Sequence, residues 1–178
     1  MRITGGTLRG RQVKVPAGII RPAMDRMRES IFAVMGDLTG FSFLDLFSGS
    51  GIMALEAASR GASCIEAVEM DPLKRQTIIS NVKISPVRIF CRFMPAELYV
   101  KRAKRHFDYI FCDPPFPYRY KWELVKAIAD SRLMKEGSRL LLHCPREDLR
   151  DNPCTNLHME DTREFGRSIV IFFKNIAI

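Results

Sequence analysis

Four residues near the middle of the chain, Asp113-Pro114-Pro115-Phe116, have the makings of a small reactive site. They follow an apolar run, Tyr109-Ile110-Phe111-Cys112, that reads as a buried strand. Neither proline can donate to a sheet ladder, and each biases the residue before it towards extended geometry. The strand therefore ends in a stiff loop that carries a carboxylate, a backbone carbonyl with no N–H beside it, and an aromatic ring. In open α/β sheets, ligands bind at the carboxyl ends of the strands. Two acceptors and a flat ring suit a planar base bearing an amino group. Asp-Pro also opens ordinary turns, so the quartet alone is equally consistent with turn chemistry.

A second constellation lies upstream. Ser42 to Phe47 reads as an apolar strand, Ser48-Gly49-Ser50-Gly51 as a tight turn, and Ile52 to Arg60 as a helix stopped by Gly61. Gly49-x-Gly51-x-x-Ala54 fits the dinucleotide fingerprint, which is weak by itself but here stands between strand and helix. Glu69 ends the next strand 18 positions beyond Gly51, where an acid can hydrogen-bond ribose hydroxyls. NAD and S-adenosylmethionine compete for such a site. Asp45, just ahead of the glycines, repels a pyrophosphate and attracts an ammonium group, so it favours S-adenosylmethionine. Asp45 could instead be a structural carboxylate bonded to the loop. Glu69 could be a plain strand-end charge, and Asp71 beside it a helix cap. The residues expected to line the cofactor are Asp45, Phe47, Ser48, Gly49, Gly51, Glu69, Met70, Ala96 and Asp113.

The elements that hold these groups alternate. Helices are expected from Arg21-Pro22 to about Met35, from Pro72 to about Val82, from Pro95 onwards, and from Tyr120 to Ala129. The first buries Met24, Met27, Ile31, Val34 and Met35, and Gly36 or Gly40 closes it. Further strands are expected at Ser63–Met70, Val87–Phe93, Phe107–Cys112 and Arg139–Cys144, and His158–Glu164 with Ser168–Phe173 forms a closing pair around Gly166. The fold class is therefore α/β: a Rossmann-like, doubly wound, mostly parallel sheet with an antiparallel closing pair. Residues 1–20 are expected to form a basic N-terminal β-hairpin of the single domain spanning 1–178; too short to carry a core, it must dock on the main body or on a partner.

The chain has 178 residues, 47% hydrophobic and 27% charged, with a net charge of +8. That balance fits one globular domain and favours a polyanionic partner, nucleic acid before membrane. The five cysteines form no C-x-x-C pair and read as small core residues of a reducing, cytoplasmic protein. His106, His143 and His158 are scattered, so neither a metal cluster nor a triad is indicated. No leader-like or membrane-spanning apolar stretch is visible.

Asp-Leu-Phe-Ser-Gly-Ser-Gly (45–51) followed by Asp-Pro-Pro-Phe (113–116) resembles the motif pair of amino-methyltransferases. Arg9-Gly10-Arg11, Arg21-Pro22 with Asp25-Arg26-x-Arg28-Glu29, Leu55-Glu56-Ala57 with Arg60-Gly61-Ala62, Phe107 to Phe111, and Arg163-Glu164-Phe165-Gly166 narrow the resemblance to the RsmD family. Asn81 also fits that pattern. The resemblance implies methyl transfer from S-adenosylmethionine to a guanine N2 of 16S ribosomal RNA, with Asp113, Pro114 and Phe116 catalytic. Arg2, Arg9, Arg11, Lys14, Arg21, Arg26 and Arg28 are then expected to hold RNA phosphates. The chain departs from the pattern at Ala23 and Met24, where threonine is usual, at Met94-Pro95-Ala96, which lacks an acid, and at Phe116, where tyrosine is commoner. Neither a metal nor an oligomer is required. Rival functions are amino-methylation of DNA adenine or cytosine, glutamine methylation of proteins, an NAD-dependent dehydrogenase, and a non-catalytic RNA-binding module that kept the fold.

Overall fold

A computed structural model of the protein describes residues 1–16 and 24–176. Arg21 and Pro22, the expected helix start, and Ala23 lie outside those residues, as does the side chain of Met24. Five strands, β1 (Ser42–Leu46), β2 (Cys64–Val68), β3 (Ile89–Arg92), β4 (Tyr109–Cys112) and β5 (Arg139–Pro145), run parallel. They join β6 (Leu157–Phe165) and β7 (Ser168–Asn175) in one seven-stranded sheet of order β3-β2-β1-β4-β5-β7-β6. β7 is antiparallel to both neighbours, which is the closing pair read from the sequence. The strand order reverses direction between β1 and β4, and a crevice opens at such a switch point.

Side chains alternate across the sheet, so each strand feeds two cores. Phe43, Ile65, Phe111, Leu141 and Phe172 pack on one face with α1 (Met24–Met35), α2 (Ile52–Ser59) and α3 (Arg75–Val82). Leu44, Leu46, Val68, Ile110 and Leu142 pack on the other with α4 (Ala96–Lys101) and α5 (Lys121–Ala129). Asp45 and His143 share the alternation of the first set. Gly36 closes α1 with a left-handed φ of 71°, its N–H donating to Phe32 O at 3.0 Å. The buried stripe of α1 is centred between Met27 and Phe32, so the expected core residue Val34 falls on its rim and is 43% exposed. No helix of the described residues is long and apolar enough to cross a membrane.

The N-terminal arm is less regular than the expected hairpin. One antiparallel bridge, Arg2 with Gln12, closes it, supported by Ile3 N–H to Arg11 O at 3.0 Å and Val13 N–H to Met1 O at 2.8 Å. The backbone of the turn bonds to α2 instead of extending a ladder. Thr4 N–H donates to Glu56, Thr7 N–H to Ser59 O and Leu8 N–H to the Ser59 hydroxyl. Ile3 and Val13 are buried against the main core. Gly6 makes this docking fit, because a Cβ there would stand 1.9 Å from Ser59 O.

Candidate active site

The register places the acids. Leu46 pairs with Val68 on one side and Cys112 on the other, so the next residues, Phe47, Glu69 and Asp113, emerge side by side at the carboxyl edge. Cys112 pairs with Leu142, which sets Asp113 next to His143.

The turn from Ser48 to Gly51 is closed by Gly51 N–H to Ser48 O at 2.9 Å, with left-handed φ at Gly49 (58°) and Gly51 (81°). Phe47 also has a left-handed φ, 61°, which costs a non-glycine residue energy and is typical of ligand-binding turns. Its ring lies 5.7 Å from that of Tyr118. Asp45 is 1% exposed and accepts hydrogen bonds from the Ser48 hydroxyl (2.6 Å) and Ala54 N–H (3.3 Å). Burial pushes its carboxyl up to about 7, against the pull of those two bonds, and the charges of Asp113 and Glu69 raise it further. Glu69, also buried, accepts Gly49 N–H at 2.8 Å and Asp71 N–H at 2.9 Å, with Lys74 Nζ at 3.7 Å. Both acids thus brace the turn; for Asp45 this is the structural role the sequence left open, whereas Glu69 is more than a plain strand-end charge. Asp71 caps the helical turn at Pro72 by accepting Leu73 N–H.

These residues fit a cationic nucleoside. The three acids converge, with Lys74 beside Glu69 and His143 beside Asp113, and an ionised carboxylate keeps acceptor positions beyond two hydrogen bonds. Space in front of the turn is open, since a Cβ on Gly49 would meet nothing within 4 Å. Met70 is 60% exposed beside it. Ala96 opens α4 with its side chain buried in the core, so only its backbone can face a ligand. Asn81 joins this turn to the basic arm: its amide donates to Ser50 O (2.8 Å) and Lys14 O (2.9 Å) and accepts Lys14 N–H (3.0 Å).

The loop after β4 is held rigidly. Asp113 is half-buried, with N–H to Leu46 O at 3.3 Å and Oδ1 2.7 Å from His143 Nδ1. Pro114 is buried, and the half-buried ring of Phe116 meets the His143 ring at 5.5 Å and 66°. Lys121, 4% exposed, donates to Phe116 O (2.7 Å) and Tyr118 O (2.6 Å) and pairs with Asp148 (2.8 Å). Tyr118 donates its hydroxyl to Glu97 at 2.5 Å, and burial followed by that bond holds the phenol well above its ordinary range. A cleft of about 750 Å³ lies behind this loop, between α4 and α5, and includes Glu97 and Tyr118 but none of the three acids.

Of the residues expected to hold phosphates, Arg2, Arg9, Arg11, Lys14 and Arg26 are exposed, and Arg21 lies outside the described residues. Arg28 is a correction. Its side chain is wholly buried, with Nε 3.1 Å from Glu56 and Nη2 donating to Asp25 (2.6 Å) and Arg2 O (2.9 Å). It cannot reach RNA because Glu56, itself buried and also paired with Arg60, draws it into the core. His143, Lys121 and Tyr118 were not among the expected site residues. His143 carried a signal: a lone imidazole in the apolar run Leu140–Cys144, one step past the pairing that continues to Asp113. Among the described residues no group of three or more His, Cys, Asp or Glu could hold a metal.

The family described as Conserved hypothetical protein 95, the RsmD family of methyltransferases, matches residues 1–174. The chain belongs to this family. The Ribosomal RNA small subunit methyltransferase D of Escherichia coli (strain K12) is 33% identical over 136 residues, 74% of this chain and 68% of that one. The solved structure of yhhF from Escherichia coli superposes with a TM-score of 0.85 at 27% identity, covering 100% and 99% of the two chains. SMU.776, solved in complex with SAH, shares the fold with a TM-score of 0.72 at 15% identity, over 87% of this chain and 50% of that one. RsmD-family membership makes the chain a methyltransferase, and its sheet is the Rossmann-like one of its structural neighbours.

Proposed function

We propose that this RsmD-family protein methylates the exocyclic N2 amine of a guanine in small-subunit ribosomal RNA. The supporting observation is the Asp113 loop: a half-open carboxylate, a proline-flanked carbonyl and a ring, rigidly held beside the glycine turn. S-adenosylmethionine is the cofactor, and it supplies an electrophilic methyl group on a sulfonium. Asp45 would hold the ammonium end of that molecule, Glu69 the ribose hydroxyls, and the backbone at Ala96 the adenine.

A guanine amine is a poor nucleophile because its lone pair is conjugated with the ring. Asp113 and the Pro114 carbonyl accept its two N–H bonds, which turns the lone pair towards the methyl group. As the N–C bond forms and the S–C bond breaks, the amine's surplus proton passes to Asp113, whose charge also offsets the positive charge developing on nitrogen. Phe116 stacks on the base, worth about 1–3 kcal/mol. The base must leave its helix to enter. Arg2, Arg9, Arg11, Lys14 and Arg26 grip phosphates, which position the RNA while the pocket selects the base.

The test is transfer of labelled methyl from S-adenosylmethionine to small subunits that lack methylation, with nucleoside analysis. N2-methylguanosine is the expected product. N6-methyladenosine would move the substrate to adenine, and label only on DNA or protein would remove ribosomal RNA altogether.

A further inference from the structure

We infer that His143 is a positioning residue for Asp113, an inference that rests on the amine-methylation reading above. The imidazole is 2% exposed, and both nitrogens are engaged. Nδ1 lies 2.7 Å from Asp113 Oδ1, and Nε2 lies 2.9 Å from the Ser168 hydroxyl. The Ser168 oxygen is in turn 3.2 Å from Phe165 O, at the turn between β6 and β7. A row of polar groups therefore runs from β7 through β5 to the loop after β4.

The hydrogens follow from chemistry. An ionised carboxylate only accepts, so Nδ1 carries a hydrogen towards Asp113. In neutral His143, Nε2 accepts the Ser168 hydroxyl hydrogen. In protonated His143, Nε2 donates to Ser168 Oγ, whose own hydroxyl then donates to Phe165 O. The Nδ1–H bond to Asp113 is the same in both states. His143 thus fixes the carboxylate plane and occupies Oδ1, so Oδ2 is the oxygen left for the amine. The same imidazole supports the ring of Phe116 from its edge, so one side chain aligns both groups that meet the base. A buried histidine often serves only to fill a core. Here its partner is a half-open acid at the reacting end of the sheet, and the sheet's antiparallel strand supplies the Ser168 support.

The experiment compares His143→Leu with His143→Asn, whose amide nitrogen can donate from the position of Nδ1. Single-turnover methylation of unmethylated small subunits is measured beside affinity for S-adenosylhomocysteine, thermal melting, and ¹⁵N spectra of labelled histidine. His143→Leu is expected to lose about 10²-fold in rate, the scale of a small misplacement. Cofactor affinity should be unchanged, and His143→Asn should recover most of the rate. The wild-type Nδ1 should be protonated, with a signal that moves in Asp113→Asn. An unimpaired His143→Leu, a His143→Asn no better than it, or an unprotonated Nδ1 overturns the role of His143 alone. Absence of any methyl transfer by the wild type overturns the methylation reading and this inference with it.

Discussion

Nε of Arg28 lies 3.1 Å from Oε1 of Glu56, and solvent reaches neither side chain. The pair joins α1 to α2, and Thr4 adds the N-terminal arm to the same carboxylate through two hydrogen bonds. Arg60, just past the end of α2, completes it. Neutralising Glu56 leaves Arg60 without this counter-charge and the buried Arg28 with Asp25 alone.

Glu56→Gln is therefore expected to cost about 3–5 kcal/mol, the scale for breaking a buried ion pair from one side. Urea unfolding measures it, and limited trypsin digestion should cut sooner at Arg9 and Arg11 as the arm loosens. An unchanged midpoint would mean that the arm is held by Ile3, Val13 and its bonds to Ser59 and Asn81 without help from Glu56.

The same pair marks a limit of sequence reading. Beside Arg26, Arg28 reads as one more cation of a basic helix end, and the buried partner that draws it inward, Glu56, lies 28 positions away. Nothing local distinguishes a buried arginine from an exposed one. The sheet, in contrast, was legible because parallel strands buried on both faces read as apolar runs between helices. Glu69 and Asp113 stand out because each follows such a run, and Asp45 because it is a charge inside one, just ahead of the glycine turn. His143 was overlooked because its partner is across the sheet, and only the β4–β5 register connects them.

Salt dependence separates exposed cations from the buried one. Arg9→Ala, Arg11→Ala and Lys14→Ala are each expected to reduce the slope of log affinity for RNA against log salt by up to about 0.9. Arg28→Ala should lower stability instead, with no comparable effect of its own on the slope in the folded fraction. Filter binding at several salt concentrations measures this.

Asp45 links cofactor binding to protons. Its folded pKa, about 7, is raised from 3.8 mainly by burial, so the carboxyl favours its protonated form in the fold. Its contribution to stability is fully present below the unfolded value and is lost as pH rises through about 7. A ligand ammonium group held at Asp45 favours the ionised form, so binding of S-adenosylhomocysteine, which keeps that group, should release protons at pH 6. Calorimetry in buffers of different ionisation enthalpy detects the release. In Asp45→Asn that release should vanish, and relative stability above pH 7 should rise.

Lys121 is buried against three oxygens, two of them carbonyls of the loop that carries Phe116. Lys121→Met should cost about 1–3 kcal/mol for the acceptors left unpaired. The loop would lose its anchor, so the methylation rate should fall by more than cofactor affinity does. Equal losses in both would assign Lys121 to the fold alone.

The most direct test of the account is Asp113→Ala. Single-turnover methylation of unmethylated small subunits by wild type and variant would be followed by nucleoside analysis, with cofactor affinity measured on the same preparations. A loss of about 10²–10³-fold in N2-methylguanosine formation is expected, the scale for removing one group that stabilises the transition state. Cofactor affinity should stay within about threefold, on the view that Asp45, Glu69 and the backbone carry most of the binding. A variant that still makes N2-methylguanosine at the wild-type rate would contradict the account, because the carboxylate at the end of β4 would then not be the acceptor that prepares the amine.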